Sequence, residues 1–253
     1  MQQFMEELVR QAGAIARVRF GNPGAITLKR NAGDLVTEVD RQINNLVVEK
    51  IRAAYPDHGI LSEEQSAYRA EAEYLWIVDP LDGTRNFATG TPLFGVMIGF
   101  AQRGILQRAV VYDPMFDQLY AAHRGHGATR NGLPIHCSAT RTWAHSYGCG
   151  SASQDVNKLR RVKPLLLSVA KEPFSMNAFG SMAISAAHVA DGRRDWIVSI
   201  EAAMWDYAAP ALLLEESGCI VTNFHGKPWT LNDRELVAAN PHLHPHLLAI
   251  VRQ

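Results

Sequence analysis

The sequence is poor in cysteine, carries no surplus of charge of either sign and contains no long apolar run. Its three cysteines, Cys137, Cys149 and Cys219, are widely spaced and odd in number. That spacing argues against a disulfide framework and against a cysteine zinc site. We expect buried free thiols in a reducing compartment. Lysine plus arginine and aspartate plus glutamate number 25 each, so no basic surplus points to a nucleic-acid partner.

The absence of a long apolar run also argues against a membrane span, which needs about 20 apolar residues. The N-terminal residues, which include Glu6 and Glu7, form an amphipathic pattern rather than the apolar segment of a signal peptide. We therefore expect a cytoplasmic protein with neither a membrane nor a nucleic acid as partner. The chain has 253 residues, 47% of them hydrophobic, which is enough for a sizeable core in one domain or two closely joined halves.

Helical and strand patterns are mixed along the chain without a strict β–α–β rhythm. Apolar spacing predicts a helix over residues 3–20, and Thr37 with Asp40 three residues later predicts a capping box that opens a second helix. Residues 93–130 predict an antiparallel meander. A polar stretch near residue 140 divides the chain into an N-terminal α+β half, 1–140, and a C-terminal α/β half, 141–253. Together these patterns predict a layered α/β or α+β fold.

Residues 76–87 are the most informative stretch, because a buried strand there meets a turn rich in aspartate, proline and glycine. We expect Pro80 to end the strand, since proline lacks a backbone donor. A turn at that point can direct Asp79, Asp82 and the carbonyl of Leu81 to one place. Two carboxylates and a carbonyl form a hard oxygen cluster that suits Mg²⁺. If a helix begins at Gly83 or Thr84, its unpaired amides can hold a phosphate beside that ion.

Each acid taken alone has a purely structural explanation. Asp40 completes a capping box, and Asp206 lies at the start of an apolar helix, where a negative charge is favourable. The Asp-Pro-x-Asp-Gly sequence consists of ordinary turn residues. The order of the acids along the whole chain, rather than any one of them, favours a catalytic site.

That order resembles the inositol monophosphatase family, within the superfamily of lithium-sensitive, magnesium-dependent phosphomonoesterases. The resemblance extends from the first helix to the last. The matching stretches are residues 33–40, 62–64, 76–87, 180–181 and 205–206.

The resemblance implies a five-layer αβαβα fold of the sugar-phosphatase type. It implies Mg²⁺-dependent hydrolysis of a small alcohol or sugar phosphate by metal-activated water, most like an inositol-1-monophosphatase. It further implies two to three Mg²⁺ ions, inhibition by Li⁺ and a homodimer. The implied metal ligands are Glu63, Asp79, the Leu81 carbonyl, Asp82 and Asp206. The implied catalytic residues are Thr84, Asp40 and Glu63, and the amides of Gly83 and Thr84 are implied to hold the phosphate.

The residues that would select the substrate are less similar to the family pattern. Inositol enzymes carry a glutamate seven residues before the last metal-binding aspartate, and the chain has Ser199 there, with Glu201 as the nearest acid. Arg85 resembles the histidinol-phosphate phosphatases. Histidinol phosphate, fructose 1,6-bisphosphate and adenosine 3′,5′-bisphosphate therefore stay open as substrates, and a non-catalytic binding protein is the remaining alternative. The substrate-binding candidates are Lys29, Arg85, Gly180, Ser181, Ser199 and Glu201.

Overall fold

The computed structural model describes residues 1–28, 35–150, 160, 163–165, 167–168, 173–200 and 202–252. Two of the candidate substrate-binding residues, Lys29 and Glu201, lie outside these ranges. In the described part of the chain, no helix is both long and apolar enough to cross a bilayer.

Six helices and fifteen strands of the described residues make up the sheets and the helical layers. The helices are α1 Gln2–Arg19, α2 Glu38–Ala54, α3 Thr84–Ala88, α4 Met182–Ala190, α5 Met204–Glu216 and α6 His244–Val251. The first eight strands are β1 Ile26–Leu28, β2 Leu35–Thr37, β3 Gly59–Ser62, β4 Gln65–Tyr68, β5 Tyr74–Asp82, β6 Gly95–Gln102, β7 Ile105–Asp113 and β8 Gln118–His123. The others are β9 Gly127–Arg130, β10 Leu133–Ile135, β11 Tyr147–Gly150, β12 Ser175–Asn177, β13 Trp196–Ile200, β14 Ile220–Thr222 and β15 Glu235–Ala239.

The strands form one large sheet, one smaller sheet and a short hairpin of β1 and β2. The large sheet has eight strands in the order β10-β9-β8-β7-β6-β5-β3-β4. Consecutive strands from β5 to β10 pair antiparallel, which confirms the predicted meander, whereas β3 and β5 pair parallel. The smaller sheet has five strands in the order β12-β11-β13-β15-β14. The large sheet uses strands before residue 140 and the smaller sheet strands after it; the division into two halves stays a prediction.

Three clusters of buried apolar side chains hold five layers together. On one face of the large sheet, α1 and α2 pack through residues such as Val9 and Ile43. On its other face, residues such as Ile77 meet α4 and α5, and the same cluster continues to Leu236 of the smaller sheet. The far face of the smaller sheet packs against α6, for example through Leu247. This helix–sheet–helix–sheet–helix order is the predicted αβαβα arrangement.

Strand β5 passes through Pro80 and ends at Asp82, so the expectation that Pro80 ends the strand was wrong. Asp79 pairs with Met97 of β6 and Asp82 with Gly95, and the register shifts between the two pairs. Three residue steps on β5 therefore face two on β6, which is a β-bulge. Proline is tolerated at a bulge because the ladder needs no N–H from it there.

Candidate active site

The bulge in β5 places Asp79 and Asp82 on the same face of the large sheet. In a regular strand, residues three apart point to opposite faces. Paired residues of an antiparallel ladder share a face, and the partners Met97 and Gly95 are two residues apart on β6. The extra residue of the bulge thus brings the two carboxylates together, which is the role that the sequence reasoning gave to a turn.

A third carboxylate reaches this face from α5. Asp206 lies in the first turn of α5, and its Oδ2 accepts the amide of Ala203 at 2.6 Å. Oxygen atoms of Asp79, Asp82 and Asp206 all lie within 4.8 Å of one another. Asp206 therefore has both the helix-capping contact expected of a lone acid and a place in the cluster.

Glu63 adds a fourth acid beside Asp79. It follows the end of β3, and its amide donates to the carbonyl of Val78 on the parallel strand β5 at 3.3 Å. Burial raises the pKa of Asp79 well above its ordinary value, and the nearby charges of Glu63, Asp82 and Asp206 raise it further, that of Glu63 most. Asp79 therefore lies close enough to Glu63 and to the two other aspartates for their charges to raise its pKa.

The acid cluster fits a divalent metal ion. Several carboxylates brought together, with Asp79 only 1% exposed and Asp82 only 8% exposed, repel one another unless a cation or protons neutralise them. All the side-chain donors are oxygen atoms, which suit Mg²⁺ rather than a softer metal. Across the described ranges, this is the one group of three or more potential metal-ligating side chains with such spacing.

Thr84 and Asp40 form a hydrogen-bonded pair beside the cluster. The Thr84 hydroxyl lies 2.8 Å from Asp40 Oδ1 and 3.0 Å from the carbonyl oxygen of Leu81, so it can donate to either. The other oxygen of Asp40 accepts the Thr37 amide at 2.9 Å and the Thr37 hydroxyl. Burial raises the pKa of Asp40, while its hydrogen bonds from Thr37 and Thr84 oppose that rise. The predicted Thr37–Asp40 capping box is confirmed, and Asp40 also contacts Thr84.

Gly83 makes the turn from β5 into α3. Its φ is +90°, a left-handed conformation that L side chains avoid. A Cβ there would lie 2.9 Å from the carbonyl oxygen of Leu93. Glycine is therefore required for both conformation and space, and α3 begins at the next residue, Thr84.

The candidate substrate-binding residues differ in their exposure and in their hydrogen bonds. Gly180 has a φ of +69° and is exposed. Ser181 caps α4 and donates its hydroxyl to Asp82. Ser199 is buried, and its hydroxyl lies 3.0 Å from that of Tyr207. Arg85 is an exposed residue of α3. Their roles toward a substrate stay predictions.

Asn86 makes a long-range contact that no sequence pattern predicts. Its side-chain amide donates to the carbonyls of Leu93 and Phe179, both at 2.7 Å. Asn86 thereby ties α3 to the segment that leads into α4. Phe179 is 93 residues away along the chain, and no local pattern indicates such a partner.

Known proteins resemble this chain over nearly its whole length. The model of the inositol monophosphatase family matches residues 1–253. The chain belongs to the inositol monophosphatase family. Among curated family relatives, Nus factor SuhB of Escherichia coli strain K12 is 33% identical over 249 residues, covering 96% of this chain and 92% of that protein. The fructose-1,6-bisphosphatase/inositol-1-monophosphatase of Thermotoga maritima is 29% identical over 250 residues, covering 99% and 95%.

Solved structures of inositol monophosphatase family members confirm the layered α/β fold. The extragenic suppressor protein suhB of Bartonella henselae superposes with a TM-score of 0.94 at 29% identity, covering 99% of this chain and 98% of that one. The Thermotoga maritima IMPase superposes with a TM-score of 0.90 at 29% identity, covering 98% and 95%.

We expect Mg²⁺ to stabilise this family member at pH 8 and much less at pH 5. Because the pKa of Asp79 is raised in the folded state, protonated Asp79 favours folding at low pH, and that stability is lost as pH rises through the raised pKa. Mg²⁺ would bind the ionised cluster, so the stability that it adds should increase as pH rises. At about 100 times Kd, scanning fluorimetry at pH 8 should show a rise in Tm of roughly 5–10 °C. An equal rise at both pH values would contradict the prediction.

Proposed function

We propose that the protein is a Mg²⁺-dependent phosphatase that hydrolyses a small alcohol or sugar phosphate monoester. The observation that carries the proposal is the grouping of Asp79, Asp82 and Asp206 within 4.8 Å. Phosphate monoesters hydrolyse extremely slowly without catalysis. Mg²⁺ held at this cluster supplies charge neutralisation for the phosphate and lowers the pKa of water.

The arrangement of the acids supports a site for two or three ions. Glu63, Asp79 and the Leu81 carbonyl would hold one ion, and Asp79, Asp82 and Asp206 a second; a third would lie near Glu63. The Leu81 carbonyl already lies within hydrogen-bonding distance of Thr84, and a carbonyl oxygen has a second lone pair for a cation. Two ions held by these residues would assist the attacking water and the leaving alkoxide, which are the two ends of an in-line displacement.

Thr84 and Asp40 would orient the attacking water. When the Thr84 hydroxyl donates its hydrogen bond to Asp40, the lone pairs of the Thr84 oxygen can accept a hydrogen bond from water. As the water attacks, its proton would pass to the hydroxyl oxygen of Thr84 while the Thr84 proton passes to Asp40, which would be the final proton acceptor. The amides of Gly83 and Thr84, at the end of the bulged strand, would bind the phosphate oxygens.

The substrate-selecting residues support inositol 1-phosphate only in part. Where inositol enzymes carry a glutamate, Ser199 is buried and already hydrogen-bonded to Tyr207, so it offers a weaker contact to a polyol. Arg85, Gly180, Lys29 and Glu201 are the other positions at which selectivity would arise. Histidinol phosphate, fructose 1,6-bisphosphate and adenosine 3′,5′-bisphosphate are the alternative substrates. The family likeness also supports inhibition by Li⁺, a homodimer and a cytoplasmic location.

The test is phosphate release from these four compounds with Mg²⁺, with EDTA, and with Mg²⁺ plus Li⁺. We expect turnover of at least one compound with Mg²⁺, and its loss with EDTA or Li⁺. As a control for irreversible unfolding, EDTA is removed by dialysis and Mg²⁺ is added again. The rate of phosphate release should then be restored. Release that persists unchanged in EDTA would overturn the metal-dependent mechanism.

The names of several relatives favour a second candidate, a Nus-factor role. Relatives with that name match 96% of this chain at 33% identity. Absence of phosphate release, together with absence of Mg²⁺ binding by calorimetry, would favour this candidate over the phosphatase.

A further inference from the structure

The carboxylate of Asp82 is held by a helix from a different layer of the fold. Its Oδ2 accepts the amide of Ala183 at 2.7 Å and the hydroxyl of Ser181. Ser181 and Ala183 lie at the start of α4, whereas Asp82 ends β5, 99 residues before Ser181. Hydrogen-bond donors at the start of α4 therefore bind a member of the acid cluster.

The Ser181 hydroxyl takes part in two hydrogen bonds, accepting one and donating the other. It accepts the amide of Ile184 at 3.2 Å, as the cap of α4. An ionised carboxylate can only accept, so the single hydroxyl proton of Ser181 must point to Asp82. The chain of bonds from Ile184 through Ser181 to Asp82 polarises each link, which strengthens a buried network.

Both bonds are made to the same oxygen of Asp82. With Oδ2 engaged by Ser181 and Ala183, and with a further backbone hydrogen bond from Met182 to the carboxylate, the start of α4 restricts the rotation of the Asp82 carboxylate. Asp82 is 8% exposed and Ser181 is 5% exposed, so water has little access with which to replace a lost hydroxyl. Metal-binding side chains depend on such outer contacts for their orientation.

Helix α4 is itself fixed to the large sheet at both ends. At its far end, the buried carboxylate of Asp191 accepts Arg130 at 2.7 Å and Tyr120 at 3.2 Å, from β9 and β8. At its near end, a Cβ on Gly95 would lie 2.8 Å from the Cβ of Ala183. Gly95 is the residue paired with Asp82, so glycine there is what lets α4 approach the carboxylate.

We propose that Ser181 is a positioning residue, which orients Asp82 for metal binding from the start of α4. This inference rests on the proposed metal-dependent function. The family resemblance implies that Ser181 contacts the substrate. The role proposed here, in the metal site, does not require that contact. The expected consequence is that loss of the hydroxyl weakens Mg²⁺ binding even when no substrate is present.

The test is calorimetric titration of the whole chain with Mg²⁺, without substrate, for wild type and for Ser181→Ala, Ser181→Thr and Ser185→Ala. We expect Ser181→Ala to weaken Mg²⁺ binding about tenfold or more, and Ser181→Thr to restore it because threonine keeps both hydroxyl contacts. Ser185 is the matched control: it is a buried hydroxyl of the same helix that donates to the Ser181 carbonyl at 2.6 Å. Its removal should leave Mg²⁺ affinity within twofold of wild type.

The outcomes separate this inference from the proposed function. Failure of the wild type to bind Mg²⁺ would overturn the proposed function and, with it, this inference. Tight Mg²⁺ binding by the wild type and equally tight binding by Ser181→Ala would overturn the positioning role alone. An equal loss in Ser181→Ala and Ser185→Ala would also overturn it, since a general loosening of α4 would then explain both. Tm values measured in EDTA show whether each variant is folded.

Discussion

Asp79→Asn should abolish phosphatase turnover while the protein stays folded. Asp79 is the ligand that the two proposed ion sites have in common, so removal of its charge should weaken the binding of every ion. Metal stabilisation of the transition state is worth several kcal/mol, so we expect kcat/KM to fall by at least about 10³-fold. The measurement is Mg²⁺-dependent phosphate release under saturating Mg²⁺.

The fold should tolerate Asp79→Asn because the substitution removes a charge that the folded state disfavours. Burial and the neighbouring acids raise the pKa of Asp79, so at neutral pH without metal the ionised form costs stability. The asparagine Oδ1 can still accept the Leu81 amide, which lies 3.1 Å from Asp79 Oδ1. In EDTA, the Tm of the variant should therefore equal or exceed that of wild type.

Asp113→Asn is the matched control for Asp79→Asn. Asp113 is also buried, and burial also raises its pKa. Its Oδ1 accepts the amides of Met115 and Phe116 at 3.0 and 3.2 Å, contacts that asparagine preserves. This variant should keep wild-type activity. Retention of more than a tenth of wild-type activity by Asp79→Asn would refute the metal-site assignment.

Thr84→Val should lower kcat by about 10²- to 10⁴-fold, the range for loss of an acid–base group. Valine has nearly the shape of threonine but lacks the hydroxyl that lies 2.8 Å from Asp40. Orientation of the attacking water would be lost, and one oxygen of the fully buried Asp40 would lose its partner. Mg²⁺ affinity should change far less than kcat, because the carboxylates of the cluster remain.

Two companion variants separate the role of Thr84 from a general effect on α3. Thr84→Ser keeps the hydroxyl and should retain most of the activity. Thr89→Val removes a hydroxyl at the other end of α3, where Thr89 is exposed and donates to the Arg85 carbonyl at 2.9 Å, and should leave kcat unchanged. If Thr84→Val turned over as fast as Thr84→Ser, the Thr84–Asp40 pair would have no part in catalysis.

Features that depend on neighbouring residues were predictable from the sequence. Thr37 and Asp40 form the predicted capping box, and Ser181 caps α4 as its position before an apolar helix suggests. A cap needs only partners within one helical turn, so the local sequence contains the whole interaction. The antiparallel meander was predictable for a similar reason, because short turns join its strands.

The end of β5 was not predictable in the same way. Proline favours a strand end on local grounds, yet β5 continues through Pro80 because β6 pairs with Asp79 and Asp82 on either side of a bulge. Whether a strand ends or bulges depends on the partner strand. The sequence predicts correctly that the two aspartates lie together, but it predicts a turn where the structure has a β-bulge.

The sequence by itself determined the family, the layered fold and the oxygen atoms that the candidate site offers to a metal ion. These follow from residue types and their order along the chain. Only the tertiary structure decided how the acids are oriented. Ser181 reaches Asp82 across 99 residues and Asn86 reaches Phe179 across 93. Contacts at such separations exist only once α4 packs on the large sheet, because the closeness of two distant segments is set by packing between layers and not by any pattern within either segment.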